Sequence, residues 1–138
     1  MKNFICFILA LGLTGCQTYQ NYDIQPQGPT AQIDLSSLPD PWICIHSTRL
    51  SVKSPKAGLV TIPAGSRITV GSIFTWQGYN VTYSCDPSMS FIPVEGESYY
   101  VHGEIIAEAC STQVFVKSDK NRVGLDLVET IARGTCSR

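Results

Sequence analysis

Charge is scarce in this chain, and no sign of it is concentrated. Ten Lys and Arg stand against eleven Asp and Glu, only 15% of residues are charged, and no basic block occurs anywhere. A nucleic-acid-binding domain normally shows a clustered positive patch, so that class is set aside. Histidine is nearly absent, with His46 and His102 alone. There is no glycine-rich phosphate loop, since Gly58, Gly65, Gly71, Gly78, Gly96 and Gly103 are dispersed. Close Cys-x-x-Cys pairs are missing, which argues against zinc. No metal or cofactor is expected. The longest apolar run, residues 4–13, is ten residues. A membrane-spanning helix needs about 20. No internal repeat and no convincing amphipathic helix is visible.

What is present at the N-terminus is specific. Lys2 precedes the short apolar run, and small residues follow it. A basic start, a short apolar core and small residues at its end describe a secretory signal peptide. The run closes on Leu13-Thr14-Gly15-Cys16. This resembles the lipobox of bacterial lipoproteins, in which the Cys thiol receives a diacylglyceryl group and the chain is cut just before it. The resemblance implies that residues 1–15 are removed and that Cys16 carries lipid. One acyl chain binds a membrane only marginally, whereas two or three hold firmly. Gln17 follows, where Asp would imply retention in the inner membrane. The resemblance therefore implies a periplasm-facing domain on the outer membrane, with the inner membrane as the alternative.

Without residues 1–15 the chain has nine basic and eleven acidic side chains, a net charge of −2. Membrane attachment then falls to the lipid, not to a polybasic stretch. Its length suits one domain. Cys44, Cys85, Cys110 and Cys136 remain, an even number in an exported chain, so two disulfides are expected. Four cysteines allow three pairings.

Residues 16–41 are rich in Gln, Pro, Ser and Asp and read as a lipidated N-terminus and flexible tether. Within them Ala31, Ile33 and Leu35 alternate, as in a short strand that Pro39 and Pro41 would end. Residues 42–138 read as the domain. Strand signals recur about every ten residues, separated by Pro, Gly, Asp and Asn. They cover 42–46, Leu50 and Val52, 59–62, 67–76, 79–83, 89–93, a long run over 99–109 broken only at Gly103, and 110–117. Tyr79, Val81 and Tyr83 alternate with Asn80, Thr82 and Ser84, the period of a half-buried strand. Turns are expected at Ser54-Pro55-Lys56-Ala57-Gly58, Pro63-Ala64-Gly65 and Asp86-Pro87, with a hairpin turn at Glu95-Gly96-Glu97. Val123, Leu125 and Leu127 alternate as in a strand. Leu125, Val128 and Ile131 also fit a short helix, and a strand is preferred. The pattern specifies an all-β fold: a small antiparallel β-sandwich, or partly open barrel, with two disulfides.

The order Pro63-Ala64-Gly65, Cys85, Phe91-Ile92-Pro93, Gly96-Glu97-Ser98-Tyr99 and Cys110 resembles small uncharacterised envelope lipoproteins of Gram-negative bacteria. That resemblance implies a β-sandwich in which Cys85 pairs with Cys110 and Cys44 with Cys136. A disulfide closing a loop of this order contributes about 3–4 kcal/mol in the chain-entropy picture. Tyr83-Ser84-Cys85, Gly96-Glu97-Ser98-Tyr99-Tyr100 and Cys136 also resemble, loosely, small β-barrel lipoproteins that inhibit lysozyme. The Ser-Gly inhibitory loop of that family is replaced here by Glu95-Gly96-Glu97.

Chemistry is thinly represented. His102 with Glu104 or Glu97 would be needed for a base-assisted nucleophile, and Glu95/Glu97 or Glu104/Glu108 for glycan acid–base work. A strand histidine and solvated turn carboxylates explain the same residues, so no catalytic residue is assigned. His46 reads as a strand-end or turn residue, and Asn80-Val81-Thr82 only formally matches a glycosylation acceptor. The expectation is a non-enzymatic, membrane-anchored envelope lipoprotein with a structural or accessory role, an envelope protein as a possible partner and no nucleic acid. The alternative is a periplasmic inhibitor of a lysozyme-like hydrolase. Alkylation of the processed protein should label no thiol before reduction and four after it, read by mass.

Overall fold

A computed structural model describes residues 20–23, 25–53 and 58–136. The expected signal peptide, Cys16, Gln17 and residues 54–57 of the expected turn lie outside the described residues. Thirteen strands and no helix occur among the described residues, and no helix is long and apolar enough to cross a membrane. The strands are β1 (Gln20–Asn21), β2 (Thr30–Asp34), β3 (Pro41–Ile45), β4 (Thr48–Ser51), β5 (Leu59–Pro63), β6 (Ile68–Ser72) and β7 (Phe74–Gly78). They continue as β8 (Val81–Cys85), β9 (Ser88–Phe91), β10 (Ser98–Ile106), β11 (Ala109–Lys117), β12 (Leu125–Leu127) and β13 (Ala132–Arg133).

They form two facing sheets, ordered β1-β4-β3-β6-β9-β13 and β12-β11-β10-β2-β5, and a separate β7-β8 hairpin. The fold is all-β, with no closed barrel and with disulfides Cys44–Cys136 and Cys85–Cys110. Period-two alternation sends Ile43, Ile68, Val70 and Phe91 inward from the first sheet. Ala31, Ile33, Ile62, Tyr99, Val101 and Val114 meet them from the second. Each buried Ile, Val or Phe among them contributes about 1.5–3 kcal/mol by leaving water.

Four features depart from the sequence expectation. Pairing is not purely antiparallel, because β1 lies parallel to β4 and β2 parallel to β10. The cause is that the chain passes repeatedly from one sheet to the other, so neighbours in a sheet are often remote in sequence. The packed unit also begins before residue 42. β2 is an interior strand between β10 and β5, and Tyr22 donates its N–H to Ser51 and its hydroxyl to the Thr61 carbonyl at 2.7 Å. The Glu95-Gly96-Glu97 segment does turn, with Gly96 at φ 77°. It joins β9 to β10 across the two sheets and is not a hairpin. Finally, the long run over residues 99–109 reverses at Ala107 and Glu108, whose φ values are 47° and 68°.

The C-terminal segment is extended, as preferred, but divides between the sheets as β12 and β13. The run over residues 67–76 divides at Ile73 into β6 and β7. The β7-β8 hairpin stands at the end of the sandwich where β10 and β11 extend past the core. It is seated there through Gly103: a Cβ at that position would fall 2.6 Å from the Phe74 ring and overlap Leu38. Cys85–Cys110, with Cα atoms 6.4 Å apart, ties the base of one hairpin to the flank of the other.

Two consecutive positive φ values are the geometry of a tight type I′ turn, which favours Asn-Gly and disfavours other residues with a Cβ. Replacing Ala107 by Asn and Glu108 by Gly should raise unfolding free energy by about 1 kcal/mol, measured by urea denaturation.

Candidate functional site

Three surfaces and one open side-chain pair hold most of the residues singled out from the sequence. The first is the outer face of the β1-to-β13 sheet. Trp42 and Cys44 point outward from β3, yet both are buried. The Trp42 indole lies across Gly71, where no Cβ would fit, and its Nε1 donates to Asp86 Oδ1 at 2.7 Å. Arg49 donates to Asp86 Oδ2 at 2.6 Å and stacks 4.0 Å from the centroid of the Trp42 ring system. Beside them Cys44–Cys136 holds the C-terminal segment, and Ser88 and Thr69 donate to the carbonyls of Gly134 and Thr135. This face is a structural cover. The sequence marked Asp86 only as a turn residue, because its partners are 37 and 44 positions away.

The second surface is a groove of about 290 Å³ at the end of the sandwich opposite the β7-β8 hairpin. Val94, Val116 and Leu127 form its apolar wall, with Glu97, Lys120 and Asp126 at the rim. Tyr99 is buried and accepts a hydrogen bond from the Val94 N–H at 2.9 Å. Burial pushes its phenol above the ordinary value, and the Glu97 charge adds to this. Of the adjacent aromatics, Tyr99 therefore points into the core. Tyr100 points outward beside His102, with ring centroids 6.4 Å apart.

His102 Nε2 lies 3.8 Å from Glu104 Oε2, and both side chains are about 40% exposed. Ser111 approaches the same carboxylate at 3.5 Å. This is an open pair on the solvent face of a strand, without an enclosing cleft. Glu95 and Glu97 are exposed, and so is Glu108. His46 occupies the β3-β4 turn, with φ 48°. No group of three or more His, Cys, Asp or Glu placed to hold a metal occurs among the described residues.

The third surface is the β7-β8 hairpin, whose two faces differ. Trp76 and Tyr83 pair across the strands, stacked at 5.4 Å and 16°, on the same face as Val81. Thr75, Gln77, Thr82 and Ser84 occupy the other face, and Thr82 donates to Gln77 at 3.0 Å. Tyr79 at the tip is 94% exposed, Val81 44% and Tyr83 39%. The alternation of Tyr79, Val81 and Tyr83 indicated a half-buried strand. It is a strand from Val81, but it stands away from the core instead of on it. No protein-family model matches this chain, and neither a curated protein nor a solved structure is significantly similar to it.

Electrostatics in the described residues are structural. Burial pushes the Tyr22 phenol up to about 12, consistent with its role as a neutral donor to Thr61. Burial acts to raise the Asp34 carboxyl, but it is outweighed by hydrogen bonding from Ser36 and by Lys117, 3.6 Å away. The net shift is downward. A carboxyl more acidic in the folded than in the unfolded chain adds stability that is complete above the unfolded value, about 3.9, and is lost as pH falls through the folded one. Asp34→Asn should therefore lower the urea midpoint at pH 7, and the gap from wild type should close at pH 2. An equal gap at both pH values would contradict this role for Asp34.

Proposed function

We propose that this chain is a non-enzymatic lipoprotein of the bacterial envelope, held to the outer membrane by lipid on Cys16, with a periplasmic domain that serves a structural or accessory binding role. The observation that carries the reading is the Leu13-Thr14-Gly15-Cys16 motif closing a ten-residue apolar run. Two disulfides in a domain of this size support export to an oxidising compartment. The exposed hairpin supports a binding role, since Tyr and Trp offer large contact area at low entropic cost.

The docking of β1 sharpens the anchoring geometry. Three residues separate Cys16 from Gln20, four Cα-to-Cα steps with a reach of at most about 14 Å. The domain is thus held against the bilayer rather than at the end of a 26-residue tether. The N-terminal end of β1 is directed toward the His46–Ser47 turn, because β1 runs parallel to β4 and antiparallel to β3. The β7-β8 hairpin leaves from the other end, where Ile73 donates its N–H to Asp40. The aromatic surface is consequently presented away from the side on which the chain enters.

Palmitate fed to cells expressing the full chain should label the wild type, and Cys16→Ala should abolish that label and release the protein from membranes. Equal labelling of the two proteins would defeat the anchor.

A further inference from the structure

A sheet edge is a row of unpaired backbone donors and acceptors, and monomeric proteins blunt such edges with short strands, charge, proline or a covering group. The outermost strands of the two main sheets here do so, while β11 beyond the reach of β12, residues 109–114, is tied by Cys85–Cys110 and by the Thr112 hydroxyl, which donates to the Pro87 carbonyl. β1 and β13 have two residues each and β12 has three. β5 is longer, but it ends in Pro63, and the Tyr22 hydroxyl takes the Thr61 carbonyl beside it.

The β7-β8 hairpin has none of these devices. Residues 73–85 contain no charged residue and no proline. None of the described residues pairs with the outer edge of β8. Four of its five residues, Val81 to Ser84, are exposed. A two-stranded hairpin is marginal in water and gains stability from a third strand. This hairpin is instead held in place at its base, by Cys85–Cys110 and by the Phe74–Gly103 seat. Both outer edges of this two-stranded sheet are unpaired among the described residues, and that of β8 is the more open, since β7 begins at the buried Phe74 and carries the half-buried Trp76.

We infer that the free edge of β8 pairs antiparallel with β8 of a second copy, joining two hairpins into one four-stranded sheet. The strand is self-complementary about Tyr83. A two-fold axis beside that residue sets Tyr83 against Tyr83, Thr82 against Ser84 of the other copy, and Val81 against Cys85. Aromatic pairs and hydroxyl pairs across strands are favourable, and like charges directly opposite are not. Here the absence of charge removes the repulsion that ordinarily opposes a strand meeting its own copy. The apolar face of the joined sheet would carry the Trp76–Tyr83 stack of each subunit side by side. The interface is isologous, so it closes at two copies. It lies at the end of the domain remote from chain entry, so it does not compete with the membrane for the same surface.

The test uses charge-swapped variants at the polar, exposed positions, which leave the core untouched. Full-length chains carrying either of two C-terminal tags are co-expressed and extracted in non-ionic detergent. Wild type with wild type should co-purify. Thr82→Lys/Ser84→Lys with itself should fall about tenfold or more, because each lysine then faces a lysine, and Thr82→Glu/Ser84→Glu with itself should do the same. The lysine variant with the glutamate variant should recover pairing. Unchanged thermal unfolding of each variant shows that the fold is retained. The inference is overturned if wild-type chains do not co-purify, or if the lysine–glutamate combination fails to exceed the like-charged ones. The same combinations in a Cys16→Ala background should give the same pattern, so loss of the lipid anchor and loss of the strand pairing read out separately.

Discussion

Ile33, Ile43, Ile62, Val70 and Phe91 are almost wholly removed from solvent between the two sheets, and no contiguous stretch of chain can bury them. β2 belongs to one sheet, β3 and β4 to the other, β5 to the first again and β6 to the second. Each apolar face is complete only when strands from both halves of the chain have arrived. The mutual burial of these faces is the constraint from which the rest follows. It accounts for the parallel pairs within each sheet, for the recruitment of residues before position 42, and for the long sequence separations of the Trp42–Asp86 and Arg49–Asp86 contacts. Fixing backbone in so many non-local pairings is entropically costly. Two disulfides offset part of that cost in a small domain.

Strand periodicity carried most of the fold class. The alternation of Ala31, Ile33 and Leu35 marked β2, and that of Leu125 and Leu127 marked β12. What the periodicity does not encode is the sheet to which a strand belongs. Glu95-Gly96-Glu97 has the chemistry of a turn, and the same chemistry serves a hairpin or a crossing between sheets. Ala107-Glu108 has no turn chemistry, so the reversal between β10 and β11 left no mark in the sequence. Its geometry is imposed by eight paired positions between those strands. The polar composition around Gln20 to Tyr22 suggested a free tether, whereas one tyrosine hydroxyl and one backbone pair are enough to dock it.

The residues with potential for chemistry separate in the same way. The cysteines meet in the pairs that the lipoprotein resemblance implied. His102, Glu104 and Ser111 do come together, but on an open strand face, where water screens their interactions. The surface that distinguishes the molecule is neither of these. Trp76, Tyr79 and Tyr83 looked like core from composition alone; Trp76 does pack against the core, whereas Tyr79 and Tyr83 are exposed on a projecting hairpin. The difference lies in the 25-residue loop closed by Cys85–Cys110, which fixes where the hairpin stands.

Cys44 and Cys136 enclose 92 positions of sequence separation, so nearly the whole domain lies within one covalent ring. A single peptide-bond cut anywhere inside that ring leaves one molecule with two new ends. Exposed segments such as the one around Val123, 81% accessible, are natural points of proteolytic attack. After such a nick the fragments remain tethered at a high effective concentration and stay joined to the part of the chain that leads to Cys16. The ring therefore converts a first proteolytic event from a loss of the domain into a change of connectivity, for as long as the bond stays oxidised.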